Sequence, residues 1–347
     1  MKVTKKPRFS AIDIFSGCGG LSLGLRRAGF RIIAAIDKDA LSIATYRMNH
    51  KRTMLVNEDI RSIEPGSLMQ ELSFRPGQLD LLAGCPPCQG FSTLRTMNGG
   101  RSVEEPMNDL VFEFVRFVRT FLPKTVMMEN VPALLKDDRL KQVRRDLEIM
   151  DYATEASCFN AENFGVPQRR KRMILMGARN DVGCPSFADT VRQRRTVAGA
   201  IRRLTSPHSS DDTMHNYSVR RADHVMSLIR RIPKDGGSRT DLPQEDQLEC
   251  HKRIDGFKNI YGRMAWRKPA PTITGGCISP SKGRFLHPEE DRAITLREAA
   301  MLQGFPQSYE FDMSNGRNAA AQLIGNAFPP KFAEHHARQI YRHLSDL

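Results

Sequence analysis

The chain has 347 residues, 40% hydrophobic and 27% charged, an ordinary balance for a soluble globular protein with a full-sized core and room for two domains. Lys and Arg number 53 against 39 Asp and Glu; the net charge of +14 favours a polyanionic partner, nucleic acid ahead of a membrane surface. Seven irregularly spaced cysteines argue against a disulfide framework and for a reducing cytoplasm, no apolar run is long enough to span a membrane, and the basic start Met1–Pro7 lacks the apolar stretch of a signal peptide.

In chain order, Ala11 to Phe15 reads as a strand, followed by a glycine-rich turn and a helix from about Leu21 to Ala28. Ile32–Ile36 is a second buried strand, Ala40–Met48 a second helix, and Met54–Val56 a short third strand. Leu79–Ala83 is another strand, Leu110–Phe121 is amphipathic at helical spacing, and Thr125–Met128 and Met173–Gly177 are further strands. These repeated βα units predict an α/β fold with a doubly wound, mostly parallel sheet, whose active residues lie at the carboxyl ends of the strands. From about Arg192 to Arg267 the alternation dissolves into Arg, Asp, Ser and His with scattered prolines, the composition of a smaller, irregular domain; helices return at Leu296–Leu302 and Phe332–Leu344.

Chemistry collects at the strand ends. The first strand runs into Asp13-Ile14-Phe15-Ser16-Gly17-Cys18-Gly19-Gly20, a turn that lets backbone approach a cofactor. Ser22 stands where a dinucleotide fingerprint has its third glycine, which disfavours hydride transfer. Asp37 ends the second strand, placed for ribose hydroxyls, and Glu58-Asp59-Ile60 follows the third, with a carboxylate for an adenine amine. Singly each is weak; three in order favour an adenosine-containing cofactor.

Gly84-Cys85-Pro86-Pro87-Cys88-Gln89-Gly90 follows the next strand. Proline stiffens the loop before Cys88, whose thiolate form would be a strong nucleophile. Cys85 and Cys88 form a C-x-x-C, but no second pair follows to complete a zinc site, and the two intervening prolines make a redox pair a minor option. Glu129, in Met128-Glu129-Asn130-Val131-Pro132, would face the same crevice; alone, such an acid is a cap or a surface residue. In the run Gln168-Arg169-Arg170-Lys171-Arg172, extended backbone puts Gln168, Arg170 and Arg172 on one face, where an isolated basic run would be a solvated surface.

Taken together these motifs resemble the cytosine-5 DNA methyltransferases of bacterial modification systems. The matches come in family order: Asp13 to Gly20, Asp37, Asp59, Pro87-Cys88-Gln89, Glu129-Asn130-Val131, Gln168-x-Arg170-x-Arg172, Arg297-Glu298-Ala299-Ala300 with Leu302 to Pro306, and Gln322 to Pro330. The resemblance implies a Rossmann-like S-adenosylmethionine-dependent sheet, with residues 1–190 and 312–347 catalytic and 191–311 a target-recognition domain. It implies that Cys88 adds to C6 of a flipped-out cytosine, that Glu129 meets N3, that Arg172 holds O2 and that Arg170 steadies the surroundings. S-adenosylmethionine would lie against Phe15, Gly17, Gly19, Gly20, Asp37, Asp59, Ile60, Pro87, Leu110, Asn326 and Ala327, with no metal. Double-stranded DNA would be the partner of a cytoplasmic, nucleoid-associated enzyme that acts as a monomer, paired with a restriction endonuclease. The chain departs from the family at Asp37, where a longer glutamate is common, and at Cys85, where glycine is frequent and a packed thiol is expected. Arginine pairs at 194–195, 202–203, 220–221 and 230–231 are candidates for DNA contact, each singly more typical of a solvated surface. A tRNA-directed enzyme and a non-catalytic DNA-binding regulator are the rival readings.

Overall fold

The computed structural model describes residues 9–87, 109–247 and 258–347. The chain divides into two compact units, one of residues 1–160, 171–190 and 328–347, the other of residues 161–170 and 191–327.

The first unit is built on β1 (Ser10–Ile14), β2 (Arg31–Ile36), β3 (Met54–Val56), β4 (Leu81–Gly84), β5 (Thr125–Asn130), β6 (Tyr152–Asn160) and β7 (Lys171–Arg179). They form one seven-stranded sheet in the order β3-β2-β1-β4-β5-β7-β6. The first five strands pair in parallel, as the βα alternation requires, and β7 enters antiparallel between β5 and β6. The expected strand at 173–177 is thus the middle of a longer one. Edge strand β6 was not legible from its sequence, because its burial is only partial along its length.

Among the described residues, four helices follow the parallel strands: α1 (Gly20–Ala28), α2 (Ala40–Asn49), α3 (Pro65–Glu71) and α4 (Leu110–Phe121). The apolar stripe of α4 (Leu110, Val111, Phe114, Val115, Phe117, Val118 and Phe121) is buried in the core with Ile12, Ile14, Ile36, Val126 and Met128. After β5, α5 (Asp138–Ile149) buries only Leu140, Val143 and Leu147 of its charged sequence, with Asp137 capping its start through Arg139 N at 2.9 Å.

The second unit contains α6 (Val197–Ile201), α7 (Asp223–Arg231), α8 (Leu296–Gln303) and α9 (Gly316–Asn326), with extended segments joined by isolated bridges rather than a sheet among its described residues. Its core includes Leu228, Ile229, Ile232, Tyr261 and Leu286. Beside it the fully buried Arg263 donates to the carbonyls of Ile229, Ile232, His287 and Glu290 and pairs with Asp291 at 2.5 Å. The guanidinium thus ties the end of α7 to the 287–291 loop.

The last helix, α10 (Pro330–Ser345), belongs to the first unit and packs against α1. At Gly24 the backbones approach so closely that an added Cβ would lie 2.4 Å from Ala333 Cβ and 2.6 Å from Pro330 O. The Gly24→Ala variant is expected to lose about 1–3 kcal/mol to overpacking despite alanine's better helix propensity. Its thermal midpoint, followed by circular dichroism, should fall by several degrees.

Candidate functional site

The site is assembled from the turns and loops at the carboxyl ends of the parallel strands. After β1, Phe15 takes φ 57°, a left-handed conformation that non-glycine residues avoid and that is commonly retained at ligand sites. Gly17 (φ 52°) and Gly19 (φ 90°) complete the turn, and an added Cβ at Gly17 would meet nothing within 4 Å. Gly19 caps α1 without a side-chain hydrogen bond, and the first turn, beginning at Gly20, holds no acidic residue. Two carboxylates reach that end from outside the helix: Asp37, which accepts the Gly17 N–H, and Asp13, which accepts the Ser22 Oγ–H of the first turn.

Asp37 lies just past β2. Its Oδ2 accepts the Gly17 N–H at 2.8 Å and its Oδ1 the Asp39 N–H at 2.9 Å, so this carboxylate ties the glycine turn to the second strand. Burial raises its pKa, opposed by those two donors. Asp59 is differently placed: Arg61 forks it with Nε at 2.9 Å and Nη2 at 2.7 Å. These bonds hold its carboxyl well below the usual carboxylate range. Ile60 and Leu110 are buried, and Pro87 is half-buried.

Glu129 and Arg172 come together. Glu129 pairs with Ile174 across β5 and β7, which puts Arg172 on the diagonal of the same face. Arg172 Nε lies 2.7 Å from Glu129 Oε1, with both side chains largely covered. Asn130, next along, donates from Nδ2 to Pro86 O at 3.0 Å and so anchors the start of the Pro86-Pro87-Cys88 loop. Cys88 itself lies outside the described residues.

In the second unit, Gln168 and Arg170 are buried while Arg169 is exposed, the alternation expected of extended backbone. Arg170 donates to Ile273 O and Gly325 O, both at 3.0 Å, so it clamps two backbone segments. Gln168 Oε1 accepts Ile273 N at 2.7 Å, and its Nε2 donates to Gln303, whose own Nε2 donates to Ala327 O at 2.6 Å. Asn326 is exposed at the end of α9 and Ala327 is buried just after it. Of the arginine pairs, Arg221 is half-buried against Ile278 O at 3.4 Å; the other seven arginines are exposed.

The family of C-5 cytosine-specific DNA methylases matches residues 9–342. The chain belongs to that family. The Type II methylase M.HgiDII of Herpetosiphon aurantiacus is 35% identical, over 97% of this chain and 96% of its own length. The Type II methyltransferase M1.HphI of Haemophilus parahaemolyticus is 31% identical, over 95% and 86%. Among solved structures, a protein encoded within an E. coli prophage shares the fold with a TM-score of 0.71 and 24% identity, over 97% of this chain and 99% of its own. No described helix of this methylase is long and apolar enough to cross a membrane.

One group of residues escaped the sequence reading. Beneath the glycine turn of the methylase, Ser22 Oγ donates to Asp13 Oδ2 at 2.6 Å and Tyr46 OH donates to Ser22 Oγ at 2.7 Å. The Tyr46 ring packs on His50 at 4.3 Å, and Arg26 Nη1 donates to His50 Nδ1 at 3.1 Å, which leaves Nε2 to carry the ring's proton. The His50 ring also hydrogen-bonds the Gly19 backbone, and burial, aided by Arg26, lowers its pKa to about 3. Ser22, which replaces a fingerprint glycine, is the middle of this hydrogen-bonded chain. The clue available in sequence was the i,i+4 spacing of Tyr46 and His50 on one helix face.

Asp13 is fully buried and its Oδ1 has no hydrogen-bond partner. Burial pushes its pKa up to about 7, against the Ser22 hydrogen bond and with Asp37 adding to the rise. The folded state therefore binds a proton that the unfolded state releases above about pH 4, so this residue makes stability fall as pH rises toward 7. The Asp13→Asn variant should lose that part of the slope, up to about 1.4 kcal/mol per pH unit, in urea unfolding compared with the parent at pH 5, 6 and 7. Arg170→Met should strand the two carbonyls that Arg170 serves and cost on the order of 3 kcal/mol, read in the same urea titration at pH 7.

Proposed function

We propose that this methylase transfers a methyl group from S-adenosylmethionine to C5 of a cytosine flipped out of duplex DNA, through a transient bond from Cys88. The carrying observation is the Glu129–Arg172 pair, 2.7 Å apart at the end of β5. It offers a carboxyl group and a guanidinium to one edge of a planar ring, next to the strand that leads to the cysteine.

Cytosine C5 does not attack a methyl donor unaided. Addition of the Cys88 thiolate at C6 makes C5 nucleophilic, as an enamine carbon is. In its protonated form Glu129 donates a hydrogen bond, or its proton, to N3 and so offsets the charge entering the ring, help typically worth ~10²–10⁴ in rate. Arg172 donates to O2 while its Nε holds the second oxygen of the Glu129 carboxyl group. After C5 takes the methyl group, it loses its proton to a base, the C5–C6 double bond reforms and the sulfur leaves as thiolate.

The cofactor supplies an electrophilic methyl group on a sulfonium. The open space at Gly17 and the half-buried Asp37 fit its amino-acid and ribose portions. Ile60, Pro87 and Leu110 would pack on the adenosine. Asp59 would reach an adenine amine only while sharing its carboxylate with Arg61.

Flipping the base costs a few kcal/mol. The exposed arginines of the second unit, within the 191–311 stretch that would read the target, are suited to phosphate and base-edge contacts. The Type II names of M.HgiDII and M1.HphI support a role in protecting host DNA from a partner endonuclease.

Methyl-labelled cofactor should transfer label to duplex DNA and not to tRNA, and bisulfite sequencing of DNA from expressing cells should reveal one protected cytosine context. Cys88→Ser should abolish transfer while cofactor binding by calorimetry stays within about threefold. Full activity in that variant would overturn the mechanism, and preferential labelling of tRNA would overturn the substrate.

A further inference from the structure

Cys85 follows the last residue of β4. Because Gly84 pairs with Met128, Cys85 stands level with Glu129 on the neighbouring strand. Its backbone N–H donates to Ile14 O at 3.3 Å, which fixes it against β1 as well. Its thiol lies within the field of the Glu129 carboxylate, which sits 2.7 Å from Arg172 Nε. Burial first, and the Glu129 carboxylate next, push the thiol well above its ordinary pKa, with Asp13 adding to the rise and Arg172 opposing it. Near neutral pH the sulfur therefore keeps its proton and can act as a donor toward that carboxylate. Such a thiol is a poor nucleophile, which separates it in role from the cysteine three residues on.

We propose that Cys85 is a positioning residue, its S–H and the Arg172 guanidinium together bracketing the Glu129 carboxylate and fixing the direction in which it meets the base. A packed thiol was the expectation at this position; a glycine there would supply neither the donor nor the bulk. The proposal rests on the reading of Glu129 as the group that meets the cytosine ring, and it adds a residue to that site.

Two measurements test it. In the active enzyme, Cys85→Ala should lower kcat about five- to tenfold with the DNA KM and the cofactor Kd within about twofold. Cys85→Ser, which retains a donor, should restore kcat to within about twofold of the parent. Equal kcat values for parent, alanine and serine variants would overturn the proposal. Independently of activity, alkylation of Cys85 at pH 8, followed by peptide mass spectrometry in a Cys88→Ser background, should be several-fold faster when Glu129 is replaced by Gln, because the neighbouring anion is gone. An unchanged alkylation rate would mean that the thiol and the carboxylate are not coupled, and would also overturn it. Full methyl transfer by Glu129→Gln in the otherwise unaltered enzyme would instead sink the role of Glu129.

Discussion

Level register across the parallel strands is the constraint on which the site depends. Val56, Ile36, Ile14, Gly84 and Met128 pair in one row across β3, β2, β1, β4 and β5. The next residue on each strand is Asn57, Asp37, Phe15, Cys85 or Glu129, and nearly all the chemistry of the first unit begins there. A slip of one residue in any strand would turn its side chain to the opposite face. The row is held by close approach as well as by ladder bonds: a Cβ at Gly84 would lie 2.7 Å from Ile14 Cγ1, so only glycine lets β1 and β4 end level.

Antiparallel β7 supplies what parallel strands cannot. All the parallel strands deliver their chemistry from carboxyl ends, whereas β7 begins at this edge, so its early residue Arg172 reaches Glu129. The same segment sets Gln168 and Arg170 just before the strand, in the second unit, where they bind backbone carbonyls and amides instead of a ligand. One extended run of alternating residues thus does two jobs, and the change between them falls at the start of β7.

Much of this was legible in sequence, for identifiable reasons. Central strands β1, β2, β4 and β5 are buried on both faces and read as apolar runs, while α4 shows its core stripe at helical spacing. The residues of the glycine turn, Asp37, Glu129 and Arg172 announce themselves because strand ends are where polar groups interrupt such runs. Helix α5 and strand β6 were missed because α5 buries only three side chains and β6 is an edge strand with little full burial. The insertion of β7 between β5 and β6 is a matter of sheet order, on which local periodicity is silent. In the sequence Asp13 is one residue of a turn motif; that it is a buried acid follows only from the third dimension, where Ser22 and Tyr46 close over it.

The crevice gathers acids within a strongly basic chain, and their surroundings divide them by charge state. Asp59 is kept ionised by Arg61, whereas burial shifts Asp13 and Asp37 toward the protonated form. The Cys85 thiol is driven the same way by burial and by Glu129. For the proposed chemistry this division has a use. A sulfonium cofactor is attracted by partial negative charge near the glycine turn, but three full charges on Asp13, Asp37 and Glu129 would also repel a DNA backbone and one another. Letting Asp13 share its charge with a proton, while Arg172 balances Glu129, keeps the crevice attractive to the cation without making it hostile to the polyanion. The buried Tyr46–Ser22–Asp13 chain is thus an electrostatic component of the site as well as a support for the turn.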